Sequence, residues 1–380
     1  MNSRELFNNT VFFLGAGASR HAGCMTSADM LSDLRTRINQ LNDEVKKQVY
    51  TEIYRFLSGC LQFQHAVEGS EDELGSYPLN IEDFVRILRQ IIHREFVIPG
   101  PLIGTWNEKI IRWELRTGPT VFQDLLALIV KLIRTEWTFI NRKKLPGLLS
   151  PIRKLLSSTE LDKIDFFTLN YDRVFEEYFN TPQERLLENG FDGRHWTGNF
   201  TDVDQQKESK INLFKLHGSL DWWYNSDDEV VELRWPDNAE PLIVFGTDNK
   251  MHSIAPFLDL LTCFRSRLKR AALLVTIGYS FFDPYVNNVL IHELSRSPRK
   301  RILVIDPKYK KKSPTDFLDH LAKLQLKNPI QGIPNLSKIS PEKVKVFSLR
   351  ARDFFKTYLA NGGSKLWQEY ERVKESTTPF

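Results

Sequence analysis

What narrows the fold most is a series of short apolar runs that do not alternate. Residues 10–14, 165–169, 213–216, 242–245, 273–277, 302–305 and 344–349 are rich in β-branched and aromatic side chains, and most lack an in/out pattern. A strand with one wet face alternates, whereas a strand covered on both faces does not. These runs therefore predict the central strands of a parallel sheet covered by helices. Several end in Gly, Asn-Tyr-Asp, His-Gly or Asp-Pro. Small and polar residues thus fall at the carboxyl ends of strands, the edge at which open α/β sheets bind ligands.

The expected fold class is α/β: a Rossmann-like parallel sheet with helices on both faces, a large helical insertion and a C-terminal segment. With 380 residues the chain has room for two to three domains. Residues 36–158 carry few strand signals. Asn80 can cap a helix that puts Ile81, Phe84, Val85, Leu88, Ile91 and Ile92 on one face. Residues 121–133 and 148–156 continue the helical theme, with Phe139 and Ile140 between them. Pro99, Pro101, Pro119, Pro146 and Pro151 punctuate the stretch. The expected division is a sheet domain from residues 1–35 and 159–311, a helical insertion over 36–158, and a closing segment over 312–380. Within the last, amphipathic helices are expected around 352–359 and 365–373, with a frayed end over 375–380.

Composition removes several classes. Lysine and arginine number 52 against 48 acidic residues, a balance too even for a nucleic-acid groove. The run Lys308-Tyr309-Lys310-Lys311-Lys312 reads as a solvated loop. Cys24, Cys60 and Cys263 lie far apart with no C-x-x-C pair, which argues against a disulfide framework or a cysteine zinc site. No run of about 18 apolar residues suggests a membrane span, and the first 18 residues lead into Gly-Ala-Gly and not a cleavage site. A soluble cytoplasmic protein is expected, in which the sequon Asn199-Phe200-Thr201 has no role.

Five positions carry candidate chemistry. Gly15-Ala16-Gly17-Ala18-Ser19 follows the first strand, so the backbone can turn tightly toward a pyrophosphate and a helix start. Arg20 stands where a third glycine would complete a dinucleotide fingerprint, and a ligand-free strand–helix turn is equally common. Asn170 and Asp172 end a buried strand. Capping of the next helix explains Asp172 well and Asn170 poorly. His217, between a strand and a Gly-Ser turn, is either a structural histidine or a general base that titrates near neutrality. Gly278 and Ser280 can meet a ribose or phosphate, or form a plain turn. Asp306 can bond a ribose hydroxyl, or open the turn at Pro307. Trp222-Trp223-Tyr224 reads as a core cluster, with an interface as the alternative.

In combination, Gly-Ala-Gly-x-Ser, Asn-x-Asp, His-Gly-Ser and Gly-x-Ser in this order resemble the sirtuin family. The resemblance implies that Gly15, Ala16, Gly17 and Ser19, with Ala22-Gly23 beyond, hold the phosphates of NAD. It implies that Asn170 and Asp172 line the nicotinamide-ribose pocket, that His217 is the catalytic base, and that Gly278, Ser280 and Asp306 face the adenosine side. The chain departs from sirtuin deacylases in two ways. It has one cysteine after position 60, so their two zinc-binding C-x-x-C pairs cannot exist. Cys24-Met25-Thr26-Ser27-Ala28-Asp29 also replaces their proline-aspartate-phenylalanine-arginine stretch.

The helical insertion and Asn80-Ile81-Glu82 resemble instead the SIR2-like domains of bacterial antiphage systems, and the chain's size is similar to the sirtuin-like component that partners a HerA-type ATPase. That resemblance implies an NAD+ hydrolase that consumes NAD as substrate and works in a homo-oligomer, with no metal and no membrane. Nucleic acid would be met only through the partner. The alternatives are an NAD- or ADP-ribose-binding sensor or scaffold and, further off, an NAD-dependent protein deacylase. The carboxylate cluster of a two-metal nuclease is not found.

Overall fold

The computed structural model describes residues 3–68, 79–93, 106–158, 163–181, 184–200, 209–226, 230–233, 241–245, 255–309, 313–327 and 336–375. Pro99, Pro101, Thr201, Lys310–Lys312 and the chain end beyond 375 lie outside them. Two compact units divide the chain.

The first unit joins residues 1–24, 140–244 and 250–380. Its centre is a seven-stranded sheet: β1 Thr10–Leu14, β2 Ile164–Thr168, β3 Leu187–Glu188, β4 Ile211–Lys215, β5 Leu273–Ile277, β6 Arg301–Ile305 and β7 Val344–Phe347. They lie in the order β7-β6-β5-β1-β2-β4-β3, and every neighbouring pair is parallel. Six of the seven runs read from the sequence are strands of this sheet. The seventh, residues 242–245, makes only an isolated antiparallel bridge between Ile243 and Gly218. Ile243, Val244 and Phe245 are buried and Leu242 is half-buried, yet the segment serves as a brace beneath a loop: its Val244 amide donates to the His217 carbonyl at 3.0 Å.

Both faces of the sheet are covered, which is why the runs do not alternate. On one face Phe12 stacks on Phe166 at 5.0 Å and Phe166 meets Phe175 of helix Val174–Phe179. On the other, Phe167 lies 4.2 Å from Phe214, and Phe264 of helix Phe257–Arg270 packs on Phe13 and Phe167. Helix Leu145–Ser158 spans the stretch 148–156 read as helical and runs through Pro151. Pro151 has no amide to donate to the carbonyl of Gly147, four residues before it. Trp222 is buried in a separate four-stranded antiparallel sheet, 5.3 Å from Phe191 and 5.6 Å from Trp196, while Trp223 and Tyr224 are half-buried.

The second unit holds residues 25–139 and 245–249, and each of its described elements is helical. Thr26 and Asp29 form a capping box on helix Ser27–Asn39. Asn80 caps helix Ile81–Ile92 by accepting from the Asp83 amide at 2.9 Å. That helix buries Ile81, Phe84, Val85, Leu88 and Ile91 as the spacing predicts, and Ile87 and Gln90 besides. Helix Val121–Leu132 widens into a π turn over Ile133–Trp137, where the Trp137 indole donates to Asp33 at 2.7 Å.

Because β1 to β7 are parallel, all their carboxyl ends share one edge. The chain leaves β1 toward β2 and later returns to place β5 on the other side of β1. This reversal makes the β1–β5 gap the topological switch point, where such sheets open a crevice. Two loops meet there closely: the Gly17 amide donates to the Gly278 carbonyl at 3.0 Å. Gly278 has φ +61, and a Cβ on it would lie 2.6 Å from the Ala18 nitrogen. Gly278→Ala is expected to lower stability by about 3 kcal/mol through left-handed strain and backbone overlap, read as the urea midpoint of the first unit's transition. An unchanged midpoint would show that the two loops do not touch.

Candidate active site

Each candidate side chain stands just past a strand end. Asn170 and His217 follow by two residues the register pair Thr168–Lys215 of β2 and β4. Their loops are joined by the Leu216 amide to the Thr168 carbonyl at 2.9 Å and the Leu220 amide to the Tyr171 carbonyl at 3.2 Å.

Asn170 is fixed by its amide group. Nδ2 donates to the Gly15 carbonyl at 3.0 Å and to Ser19 Oγ at 3.0 Å, while its backbone amide donates to Thr168 Oγ1 at 3.0 Å. A carbonyl can only accept, so the amide orientation is forced by chemistry. Both hydrogens are committed, and Asn170 can meet a further molecule only as an acceptor through Oδ1. Ser19, accepting from Asn170, keeps its own hydroxyl hydrogen to donate.

The glycine turn differs from expectation in one respect. Helix Ala16–Ser19 is a single turn, followed by a 3₁₀ turn over Arg20–Ala22. The amides of Gly15, Gly17 and Ala18 are already bonded to the carbonyls of Ile277, Gly278 and Gly15. A Cβ on Gly15 would lie 2.5 Å from the Gly278 oxygen. The glycines are therefore required by the approach of two loops.

His217 is 3% exposed, and its Nε2 lies 3.0 Å from Oδ2 of Asp283, itself 6% exposed. An ionised carboxylate can only accept, so this contact asks for a proton on Nε2. The other Asp283 oxygen, Oδ1, caps helix Pro284–Arg296 by accepting from the amides of Tyr285 and Val286 at 2.9 and 3.1 Å. In the sequence, Asp283-Pro284 follows the turn that carries Gly278 and Ser280. The aspartate before a proline is a helix-start signal, and nothing local tells that it also meets a histidine.

Asp172 does the capping job, with Oδ1 accepting from the Val174 amide at 3.0 Å. Asp306 opens the turn at Pro307, accepting from the Lys308 amide at 2.9 Å. Burial raises its carboxyl above the usual range, opposed by Lys308. Ser280 is half-buried in the Gly278–Asp283 loop, where Phe281 holds a positive φ of 61.

Lys215 was not singled out from the sequence and is central here. It is 1% exposed, and its Nζ donates to the Asp172 carbonyl, to Ser219 Oγ at 2.7 Å and to Glu176 Oε1 at 2.8 Å. The available signal was a lysine closing an otherwise apolar run. Glu176 is fully buried, and desolvation raises its carboxyl above the ordinary value, while Lys215 acts to lower it.

Four strand-end loops are thus tied in a ring. β5 holds the β1 loop through Gly278 and Gly17, β2 holds it through Asn170, β4 holds the β2 loop through Lys215, and β5 holds the β4 loop through Asp283. Among the described residues no group of three or more His, Cys, Asp or Glu is placed to hold a metal ion. No helix among them is long and apolar enough to cross a membrane.

Residues 165–327 match the family model described as "SIR2-like domain". That stretch is SIR2-like. It contains Asn170, Asp172, Lys215, His217, Gly278, Asp283 and Asp306, while the glycine turn after β1 precedes it. Solved structures similar to the chain include a Sir2 homolog–NAD complex at 13% identity, covering 100% of this chain and 96% of that chain with a TM-score of 0.38. A Sir2–p53 peptide–NAD+ complex is 14% identical, covering 96% and 100%, with a TM-score of 0.35. Sir2 with the inhibitor EX-527, 2'-O-acetyl-ADP-ribose and deacetylated p53 peptide is 13% identical, covering 94% and 97%, with a TM-score of 0.33. No curated protein matches.

The buried ion pair of the SIR2-like stretch gives a pH test with a definite sign. In Lys215→Met, Glu176 loses the charge that lowers its pKa, so its folded value rises further above the ordinary 4.5. An acid with a raised folded pKa is stabilising below its unfolded pKa, and that contribution is lost as pH rises through the folded value. The stability gap between wild type and Lys215→Met is therefore expected to be small near pH 4.5 and to grow to about 3–5 kcal/mol by pH 8. Urea unfolding at the two pH values measures it, and a gap independent of pH would contradict the pairing.

Proposed function

We propose that the chain is an NAD+ glycohydrolase, cleaving the nicotinamide–ribose bond to nicotinamide and ADP-ribose. The observation that carries this reading is that the Asn170 acceptor and the His217–Asp283 pair stand on adjacent loops at the carboxyl edge of β2 and β4, beside the switch point between β1 and β5. The SIR2-like match supports it from an independent direction.

In this reading NAD brings a cationic nicotinamide, a good leaving group, so cleavage asks for orientation, exclusion of bulk water and a base. Asn170 accepts a hydrogen from the ribose hydroxyl or the incoming water through Oδ1. His217 takes the proton of that water on Nδ1, directly or through a ribose hydroxyl, as the oxygen bonds to the ribose carbon. The electron pair of the broken C–N bond leaves with nicotinamide. Ser19 donates its hydroxyl toward the phosphates, with Gly15, Ala16 and Gly17 shaping the turn. Asp172 fixes the loop that carries Asn170, and Gly278, Ser280 and Asp306 border the adenosine side.

We further take the enzyme to deplete NAD in antiphage defence, as a homo-oligomer with a HerA-type ATPase partner. A long helical unit that precedes the SIR2-like stretch in the sequence supports this. A deacylase is disfavoured by the three scattered cysteines, which cannot build the two-pair zinc module.

The test is product analysis of purified chain with NAD, with and without the ATPase. Nicotinamide release is expected, and Asn170→Ala and His217→Gln should each cut turnover by about 10²–10⁴. The glutamine amide can still donate to Asp283, which spares the fold an unpaired buried carboxylate. Tight NAD binding without nicotinamide release would make the chain a sensor, and turnover only with an acetylated peptide would make it a deacylase.

A further inference from the structure

Asp283 divides its two oxygens between tasks that fall on different parts of the molecule. Oδ1 accepts from two amides at the start of helix Pro284–Arg296, and Oδ2 faces Nε2 of His217 at 3.0 Å. The loop that presents it is clamped from the same helix. The Asn287 amide donates to the Phe281 carbonyl, and Tyr279 donates its hydroxyl to Asn287 Oδ1 at 2.9 Å. Tyr279, Phe281, Asp283 and Asn287 are all buried, and the Phe281 ring packs on Tyr279 at 4.5 Å and Phe317 at 5.0 Å. This holds Phe281 in its left-handed conformation and sets where the carboxylate sits.

We propose that Asp283 is a positioning residue that selects the Nε2–H tautomer of His217 and so presents the Nδ1 lone pair as the base. As an assignment of a residue to the reaction this rests on the NAD+ hydrolase reading, whereas the tautomer itself does not.

The helix cap makes the proposal sharply testable. In Asp283→Asn the cap still requires an oxygen for the Tyr285 and Val286 amides, so the carboxamide must keep its oxygen there and turn its NH₂ toward His217. That NH₂ donates to Nε2, which drives the ring proton to Nδ1 and occupies the lone pair the reaction needs. Asp283→Ser keeps a capping hydroxyl but is too short to reach the imidazole, so it removes the partner without imposing the wrong tautomer.

The experiment is ¹⁵N NMR of histidine-labelled full chain, with His217 assigned through His217→Gln, alongside NAD turnover. Wild type is expected to carry the proton on Nε2 and Asp283→Asn on Nδ1, with kcat reduced about 10³–10⁴-fold and KM little changed. Asp283→Ser should show both tautomers and a smaller loss. A wild-type ring protonated on Nδ1 would overturn the proposal without any variant, and so would an Asp283→Asn ring still protonated on Nε2. If the tautomers behave as described and no variant, nor wild type, releases nicotinamide, the hydrolase reading fails while the positioning by Asp283 stands.

Discussion

The contact on which the rest of the edge depends is the backbone approach of Gly17 to Gly278. A parallel sheet whose strand order reverses at β1 leaves two loops diverging from the switch point. Here they are drawn together until neither has room for a Cβ. The approach places the β5 loop close enough that, after a left-handed turn at Phe281, its Asp283 reaches the loop of β4. Those strands lie three positions apart, a span of about 14 Å at ordinary strand spacing. The Asp283–His217 bond can form only if the loop between them is held at its root.

The remaining ties are polar groups placed where water cannot compensate them. Lys215 and Glu176 are each almost wholly buried, and the cost of desolvating such a pair exceeds what its attraction alone returns. Lys215 offsets this by serving three acceptors at once, one of them the carbonyl of Asp172, so the charge is spent on joining loops. Asn170 does the same with a neutral group, using both amide hydrogens on the glycine turn. Hydrogen bonds of this kind add little net stability, yet leaving one partner unmet is expensive. The ring of loops is therefore more specific than it is strong.

The sheet was legible in the sequence because burial on both faces leaves a mark that needs no tertiary knowledge, the absence of alternation. The run over 242–245 shows where the mark misleads: an apolar segment can be buried as a brace without joining the sheet. At the edge itself, Asn170 and His217 stood out because each follows a strand as a polar residue. Asp283 and Lys215 did not, since their partners lie 66 and 39–43 residues away in sequence and local pattern carries no trace of them. The glycines were legible as a tight turn, but their cause is a second loop 261 residues on, from Gly17 to Gly278.

The hydrogen-bond polarity around the edge bears on what can approach it. Asn170 has both amide hydrogens committed, so only acceptor capacity is left at its Oδ1. Ser19 has a hydrogen to give and stands at the glycine turn, where an anionic oxygen would be met. The amide hydrogens that Asn170 commits to Gly15 and Ser19 decide that polarity, and they are committed by the fold before any ligand arrives.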